Sequence, residues 1–348
     1  MILLTGGAGF IGSHVADALL AAGHAVRILD ALLPGVHERA PDYLPAAAEF
    51  VHGDVRDRDT VRRALRGVEH VCHQAAMVGL GNDFSDVTDY VAHNDGGTAV
   101  LLGELAAARF GGRLILGSSM VVYGEGRYAC PHHGTVRPGP RLRSDLRAGR
   151  FEPACPQCGR ELDPGAVGED TALDPRNVYA ATKVHQEHLC LALARECGVP
   201  VSALRYHNVY GPRMPRDTPY AGVASLWASA LAQGSAPQVY EDGAQLRDFV
   251  HVRDVARANV LALTAPEPVP GAFNVASGRP RSIGDVADAL ADAAGPQAPR
   301  PQVTGRFRAG DVRHVFASPE RASRALGFRA REDFAAGMRE LAGARLRS

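Results

Sequence analysis

Short apolar runs alternate with longer segments of helical periodicity through the N-terminal half of the chain. This alternation is typical of a parallel sheet covered by helices on both faces, in which strands buried on two sides are apolar almost throughout. The pattern predicts strands at 2–5, 25–30, 49–52, 70–73, 113–117 and 201–206, and helices at 12–22, 60–66, 91–109 and 179–197. We therefore expect an α/β fold built on a doubly wound parallel sheet.

The pattern loosens beyond residue 210 into loops rich in Pro and Gly. Helices are predicted there at 223–233, 254–263, 283–294 and 319–326. The chain is thus expected to form a sheet domain, 1–210, and a smaller α+β substrate-binding lobe, 211–348. One stretch, 126–165, has little periodicity and many Arg, Pro, Gly and Cys residues, which favours an insertion at the carboxyl edge of the sheet.

Composition excludes several classes of protein. The 348 residues include 38 Lys and Arg against 38 Asp and Glu, so no global basic field would attract nucleic acid or an anionic membrane. No apolar run approaches the roughly 18 residues of a membrane span, and the N-terminus does not have the pattern of a signal peptide. We expect a cytoplasmic protein without nucleic-acid or membrane partners.

A glycine loop follows the first predicted strand and opens the first helix. Gly6 allows a tight turn, Gly9 lets the backbone approach a pyrophosphate, and Gly12 permits close packing at the helix N-terminus. Asp30 ends the second strand, where its carboxylate can bind both ribose hydroxyls and would repel a 2′-phosphate, so NAD is favoured over NADP. The other predicted cofactor contacts are Phe10, Ile11, Asp54, Val55, Ala75 and Ala76.

Tyr179 and Lys183 stand at i and i+4, on one face of a predicted helix. A tyrosine with a pKa of about 10 is a poor base at neutral pH unless a nearby cation stabilises the phenolate. Ser119 ends the fifth strand, where its hydroxyl could hydrogen-bond the substrate oxygen that the tyrosine deprotonates. Ser119, Tyr179 and Lys183 are the predicted catalytic residues, and the last two are also expected to contact the cofactor.

These features resemble the extended short-chain dehydrogenase/reductase family, in its nucleotide-sugar epimerase and dehydratase branch. Three further segments are similar to family motifs: Val122-Tyr123-Gly124-Glu125, Leu204-Arg205-Tyr206-His207-Asn208-Val209-Tyr210-Gly211-Pro212 and Arg247-Asp248-Phe249-Val250-His251-Val252. The resemblance covers nearly all of the chain except the insertion. It implies a Rossmann domain, bound NAD, a nucleotide-sugar substrate and a homodimer formed through the helices near 91–109 and 179–197.

The resemblance also assigns roles to single residues. It implies that Asn208, Arg247 and Arg308 hold the substrate diphosphate, which suits the chemistry of two guanidiniums and an amide. Asn94 and Tyr206 are assigned to the cofactor site. Tyr240 is a candidate for stacking on the nucleobase, or equally a core residue of the lobe. His207 stands where the family usually has phenylalanine.

Residues 120 and 121 distinguish the reactions of this branch. Family dehydratases carry Asp-Glu directly after the catalytic Ser or Thr, and decarboxylases carry glutamate at the second position, whereas this chain has Met120 and Val121. Without these acidic residues, hydride transfer is the only reaction of the branch that remains. This favours 4-epimerisation through a transient 4-keto sugar. A nucleotide-sugar 4-ketoreductase is an alternative. A redox-sensing regulator is another, although such proteins have usually lost the Tyr/Lys pair.

The insertion contains two copies of the pattern C-P-x-[C/H]-G, at 130–134 and 155–159. Two such knuckles complete one tetrahedral site, so Cys130, His133, Cys155 and Cys158 are predicted to bind a structural zinc ion. His132 is a competing ligand, and a disulfide or free thiols remain alternatives.

A cysteine-rich insertion at this place is similar to that of dTDP-L-rhamnose 4-epimerases, which implies dTDP-6-deoxy-L-talose as product. A substrate of the UDP-glucose or UDP-glucuronate type stays open. The insertion lies between Ser119 and Tyr179 in the sequence. It must therefore project from the active-site edge of the sheet, as a lid or as a solvated flap.

Overall fold

Seven parallel strands form the central sheet of the computed structural model, which describes residues 1–34, 36–37, 41–79, 84–216, 222–308, 310–344 and 346–347. In spatial order the strands are Gly271–Val275, Val201–Tyr206, Leu114–Ser119, His70–His73, Ile2–Thr5, Val26–Asp30 and Glu49–His52. Six of them were predicted, each to within two residues at either end. The predicted α/β class is confirmed.

Helices cover both faces of this sheet, as the apolar strands require. One face packs against Phe10–Ala21, Val252–Thr264 and Glu320–Leu326, and the other against Arg58–Ala64, Gly97–Ala107 and Val178–Cys197. The last of these begins after Asn177, whose side chain accepts a hydrogen bond from the Ala180 amide at 2.8 Å. It ends at Gly198, whose φ of +71° is a conformation that favours glycine.

The predicted helix at 91–109 is more irregular than its periodicity indicates. A 3₁₀ turn, Phe84–Asp86, leads into a short α-helix, Val87–Tyr90. A π-helical turn, Val91–Gly96, then precedes the regular helix Gly97–Ala107. Such turns are frequent at functional sites, and this one contains Asn94.

The seventh strand comes from beyond the predicted domain boundary at residue 210. Gly271–Val275 pairs in parallel with Val201–Tyr206, and the helix before it, Val252–Thr264, shares the hydrophobic core of Phe10–Ala21. The chain therefore leaves the sheet after residue 206, builds part of the smaller lobe and returns to complete the sheet.

The smaller lobe packs three helices, Val223–Ala232, Ile283–Ala294 and Phe334–Gly343, around Tyr210, Trp227, Phe249, Leu290 and Met338. Its strands are Asn208–Tyr210, Leu246–His251 and Pro280–Ser282 in one sheet, and Gln238–Val239 with Gln302–Val303 in another. Among the described helices of the whole chain, none combines the length and the hydropathy that crossing a bilayer requires.

The insertion has a small core and sheet of its own. Arg127–Cys130 pairs antiparallel with Gly134–Val136 and with Asp163–Gly165, and a short helix, Arg143–Arg147, follows the second strand. Tyr128, Cys130, Cys155 and Leu162 form its core. Strands of three or four residues are too short to produce a periodic signal, which is why the sequence pattern did not indicate them.

A fragment of residues 1–210 should fail to fold independently. It lacks the edge strand Gly271–Val275 and the helix Val252–Thr264, so the apolar faces of Val15 and Leu19 would lie open to water. We expect low solubility and no cooperative thermal transition by circular dichroism. A sharp transition near that of the full chain would contradict the shared core.

Candidate active site

A cleft of about 610 Å³ opens between the carboxyl edge of the parallel sheet and the smaller lobe. Parallel strands bring the loops after their carboxyl ends to the same edge, which is the usual ligand site of this fold class. Most predicted site residues line the cleft: Gly6, Gly9, Phe10, Ile11, Gly12, Asp30, Asp54, Val55, Ala75, Ala76, Ser119, Tyr179, Lys183, Tyr206 and Asn208.

The glycine loop forms a cradle that side chains would fill. Gly6 has a φ of +69°, and a Cβ atom there would lie 2.6 Å from the Ala75 amide nitrogen. A Cβ on Gly12 would lie 2.1 Å from the Gly6 carbonyl oxygen. The Asp30 carboxylate accepts hydrogen bonds of 2.9 Å from the amides of Ala8 and Leu32. This geometry leaves room for an anion at the N-terminus of Phe10–Ala21 and fits a dinucleotide.

The three predicted catalytic side chains lie near the carboxyl end of the strand Leu114–Ser119. Burial raises the pKa of Tyr179 to about 12, against the opposite effect of its hydrogen bond with the Ser119 side chain. Lys183 donates to the Gly117 carbonyl at 2.8 Å, and its ammonium lies 5.9 Å from the Tyr179 ring centroid. Burial lowers the pKa of Lys183 to about 8. The cation is thus held near the phenol, where its charge can favour ionisation.

The two serines at the end of this strand have different partners. Ser118 is buried and donates to Glu187 at 2.5 Å, and Arg205 donates to both oxygens of the same carboxylate. Ser119 instead lies in the cleft and interacts with Tyr179. The structure therefore favours Ser119, as predicted, as the serine available to a substrate oxygen.

Asn94 lies behind the surface of the cleft, whereas Tyr206 lines it. The Asn94 amide is fully buried, accepts from the Met77 amide at 2.7 Å, and donates to the Met77 carbonyl and the Thr182 hydroxyl. These bonds show that the Asn94 side chain orders the chain around Met77. The Tyr206 hydroxyl donates to the Asn259 side chain at 2.9 Å, which fixes the ring in the wall of the cleft.

The predicted diphosphate and nucleobase residues divide into two groups. Asn208 lines the cleft, and its buried Oδ1 atom has no hydrogen-bond partner among the residues that the structure describes. Tyr240, Arg247 and Arg308 lie away from the cleft lining. Arg308 is exposed and stacks over Tyr240, 5.1 Å from the ring centroid. The guanidinium of Arg247 donates to backbone carbonyls, among them that of Val312 at 2.6 Å.

A model of the NAD dependent epimerase/dehydratase family matches residues 2–143 and 157–276. The chain belongs to this family. The unmatched stretch between the two segments, 144–156, lies within the insertion. The resemblance drawn from the sequence motifs is thereby confirmed.

Three relatives illustrate the family. A dTDP-L-rhamnose 4-epimerase of Burkholderia thailandensis is 34% identical over 98% of this chain and 93% of its own length. A UDP-glucose 4-epimerase of Thermus thermophilus, solved with NAD, is 30% identical with a TM-score of 0.77, covering 98% of this chain and 97% of its own. A UDP-glucuronic acid 4-epimerase of Bacillus cereus, solved with UDP-glucuronic acid and NAD, is 25% identical with a TM-score of 0.79 at the same coverage. The prediction of an isomerase is confirmed.

The family motifs do not account for every residue in the cleft. Arg347, near the C-terminus, donates to the Ala8 carbonyl at 3.5 Å and lies 4.0 Å from the position of a Cβ atom on Gly9. Nothing in the local sequence marks this arginine, because only the packing of the lobe brings it to the glycine loop. His207 also lines the cleft, and burial lowers its pKa, so the ring is neutral at pH 7.

The insertion brings its four predicted ligands together. The ligand atoms of Cys130, His133, Cys155 and Cys158 all lie within 4.8 Å of one another. The Cys130 and Cys158 sulfurs are 3.7 Å apart, and the Cys130 sulfur is 3.4 Å from His133 Nδ1. A tetrahedral zinc ion with Zn–S bonds of about 2.3 Å needs sulfurs roughly 3.8 Å apart. His132 lies outside this cluster, and all six cysteines are free.

Replacing Lys183 with Met should change the pH dependence of stability. The folded chain releases the buried Lys183 proton near pH 8, whereas the unfolded chain holds it to about pH 10.4. Between these values the unfolded state binds more protons, so the free energy of unfolding of the wild type rises relative to Lys183→Met, by roughly 3 kcal/mol in all. Urea unfolding of both proteins from pH 7 to 10 measures it. A constant difference would contradict burial of the ammonium.

Proposed function

We propose that this protein is an NAD-retaining nucleotide-sugar 4-epimerase that converts dTDP-L-rhamnose to dTDP-6-deoxy-L-talose. The observation that carries the proposal is that Ser119, Tyr179 and Lys183 line one cleft, in which Met120 directly follows the serine. Met120 and Val121 lie in a 3₁₀ turn, Met120–Tyr123, at the positions where elimination or decarboxylation would need acid or base groups. Apolar residues at these two positions, of which Met120 lines the cleft, support chemistry confined to C4.

The chain's own groups can move the proton that C4 oxidation requires. Tyr179, as phenolate, accepts the proton of the C4 hydroxyl, and Ser119 donates a hydrogen bond to the same oxygen. The Lys183 ammonium, held by the Gly117 carbonyl, lowers the cost of the phenolate. When the 4-keto sugar is reduced from its other face, the same tyrosine returns the proton. No net oxidation results.

The cleft residues fit NAD as the group that supplies this chemistry. Bound in this cleft, NAD would supply reversible hydride transfer at C4. The glycine loop would hold its pyrophosphate, and Asp30 its adenine ribose, where a carboxylate disfavours a 2′-phosphate. The NAD-bound relative of Thermus thermophilus supports this assignment.

The choice of dTDP-L-rhamnose rests on the relative from Burkholderia thailandensis and on the cysteine-rich insertion. The glucose and glucuronate epimerases among the solved relatives support UDP-sugars as alternatives. A 4-ketoreductase would use the same catalytic residues but would consume reduced cofactor.

The deciding experiment is NMR of purified protein with dTDP-L-rhamnose and no added cofactor, with UDP-glucose and UDP-glucuronate in separate samples. We expect a C4 epimer of the first alone. Turnover of a UDP-sugar instead would reassign the substrate. Reduction of a 4-keto sugar only when NADH or NADPH is supplied would replace the epimerase with a reductase.

Tyr179→Phe should lower kcat by roughly 100-fold or more, because the base is lost while the ring remains in place. The NAD released on denaturation should stay near the wild-type amount per chain. Activity within tenfold of wild type would show that another group removes the proton.

We also propose that Cys130, His133, Cys155 and Cys158 bind one structural zinc ion. The four ligands leave no open position, and the glycines after each knuckle, Gly134 and Gly159, have φ values of +66° and +71°. Zinc would replace part of the core that so small a unit lacks.

Cys158→Ser should remove the metal and lower the Tm, since a site with three protein ligands binds zinc more weakly. Metal content by mass spectrometry and thermal unfolding measure this. The matched control is Cys197→Ser, which changes an exposed cysteine outside the cluster. Equal zinc content in both variants would contradict the assignment.

The homodimer and the cytoplasmic location stay predictions. The helices Gly97–Ala107 and Val178–Cys197 lie side by side on one face of the sheet, and each exposes small or apolar side chains, such as Ala99 and Leu191. Light scattering of the purified protein tests the dimer.

A further inference from the structure

Buried ion pairs join the insertion to the smaller lobe. Arg141, in the insertion, donates to both carboxylate oxygens of Glu241, at 2.9 and 2.8 Å, and to the Asp311 carbonyl at 2.7 Å. The two charged side chains are only 6% and 2% exposed. Bidentate pairs of this kind have a defined geometry, so the insertion has a fixed position on the lobe and is not a solvated flap.

A second contact lies beside the first. Glu152 of the insertion accepts hydrogen bonds of 2.7 Å from Arg313 and from His314. Arg313 is 1% exposed and also donates to Glu241 at 2.9 Å and to Asp242. Two residues of the insertion and four of the lobe, Glu241, Asp242, Arg313 and His314, thus form one network. Removing one of its buried members would leave an unpaired buried charge.

The network holds a backbone conformation that costs free energy. Glu241 has a φ of +55°, although it is not glycine, and such residues persist only where their surroundings hold them. Its amide donates to the Arg306 carbonyl at 2.7 Å. Two guanidiniums, from Arg141 and Arg313, fix its carboxylate. Tyr240, directly before Glu241, is thereby oriented towards Arg308.

The same contacts order the segment around residues 311–313. Arg141 holds the Asp311 carbonyl from the insertion side, and Arg247 holds the carbonyls of Val312 and Arg313 at 2.6 and 2.8 Å. Arg308 lies just before this segment. The residues assigned to the nucleobase and the diphosphate therefore depend on the insertion for their relative positions, although the cleft lining does not include the insertion.

We infer that Arg141 and Glu152 are positioning residues for the nucleoside diphosphate part of the substrate. This inference rests on the proposed function and on the roles that the family resemblance assigns to Tyr240, Arg247 and Arg308. The insertion would then govern substrate affinity, and the catalytic residues and the cofactor site would be unaffected by its loss.

Arg141→Gln and Glu152→Gln test the inference, with Arg150→Gln as control. Arg150 belongs to the same insertion but is 65% exposed and pairs with Asp145 at the surface. We expect KM for the nucleotide sugar, and Kd for free dTDP or UDP by calorimetry, to rise tenfold or more in the two test variants. Their kcat should stay within about threefold of wild type, with unchanged NAD content. The control should match wild type in all four quantities.

Two variants distinguish a loss of binding from a loss of folding. Glu152 is 27% exposed, so its isosteric amide keeps the shape of the site even if Arg141→Gln unfolds the chain. The double variant Arg141→Gln/Glu241→Gln removes both charges, and its Kd should be no worse than that of the single variant if the pair acts as a unit. Folded variants that bind dTDP and UDP like the wild type, or that lose kcat without KM, would overturn the inference.

The proposed function and this inference fail in different ways. A wild type that turns over none of the tested sugars would refute the former. Hydrogen exchange of peptides spanning 239–245 and 306–316 would still test the latter, since both should exchange faster in Glu152→Gln and at the wild-type rate in Arg150→Gln. Unchanged exchange in Glu152→Gln would overturn the positioning role.

Discussion

The parallel pairing of the strands is the constraint on which the rest of this molecule depends. Ile2–Thr5 pairs in register with a neighbour on each side, and all seven strands run in one direction. The loops after their carboxyl ends must therefore meet at one edge, and each return connection must cross a face of the sheet. The cleft is a consequence of this topology, and the helices that cover the faces supply the apolar surface that makes the sheet stable.

The proposed catalytic residues are placed at some cost to stability. The ammonium of Lys183 is 4% exposed and is held by a backbone carbonyl, and burial disfavours the phenolate of Tyr179. Both groups are desolvated in the form that catalysis requires. The low dielectric that makes them costly also strengthens the attraction between the cation and the phenolate. Functional sites often contain such groups, whose perturbed pKa values make them reactive and whose burial lowers the stability of the fold.

The insertion shows how a short segment can acquire a fixed structure without a core of ordinary size. Its small core contains Tyr128, Cys130, Cys155 and Leu162, so the four proposed zinc ligands would complete the unit. Its outer attachment is electrostatic, through Arg141 and Glu152. Zinc would stabilise the fold of the insertion, whereas ion pairs attach the insertion to the lobe. The internal stability of the insertion and its attachment therefore have separate physical origins.

The sequence by itself determined the features that depend on neighbours along the chain. The glycine loop, the spacing of Tyr179 and Lys183, the two knuckles and six of the strands follow from local sterics and periodicity, which a short window contains. Tertiary structure alone decided the features that join distant residues. Asn94 bonds Met77 and Thr182 behind the cleft lining, Gly271–Val275 returns to the sheet, Arg347 reaches the glycine loop, and Glu241 is held in a strained conformation by Arg141. Such contacts span up to several hundred residues, and their energies depend on burial, which no local pattern specifies.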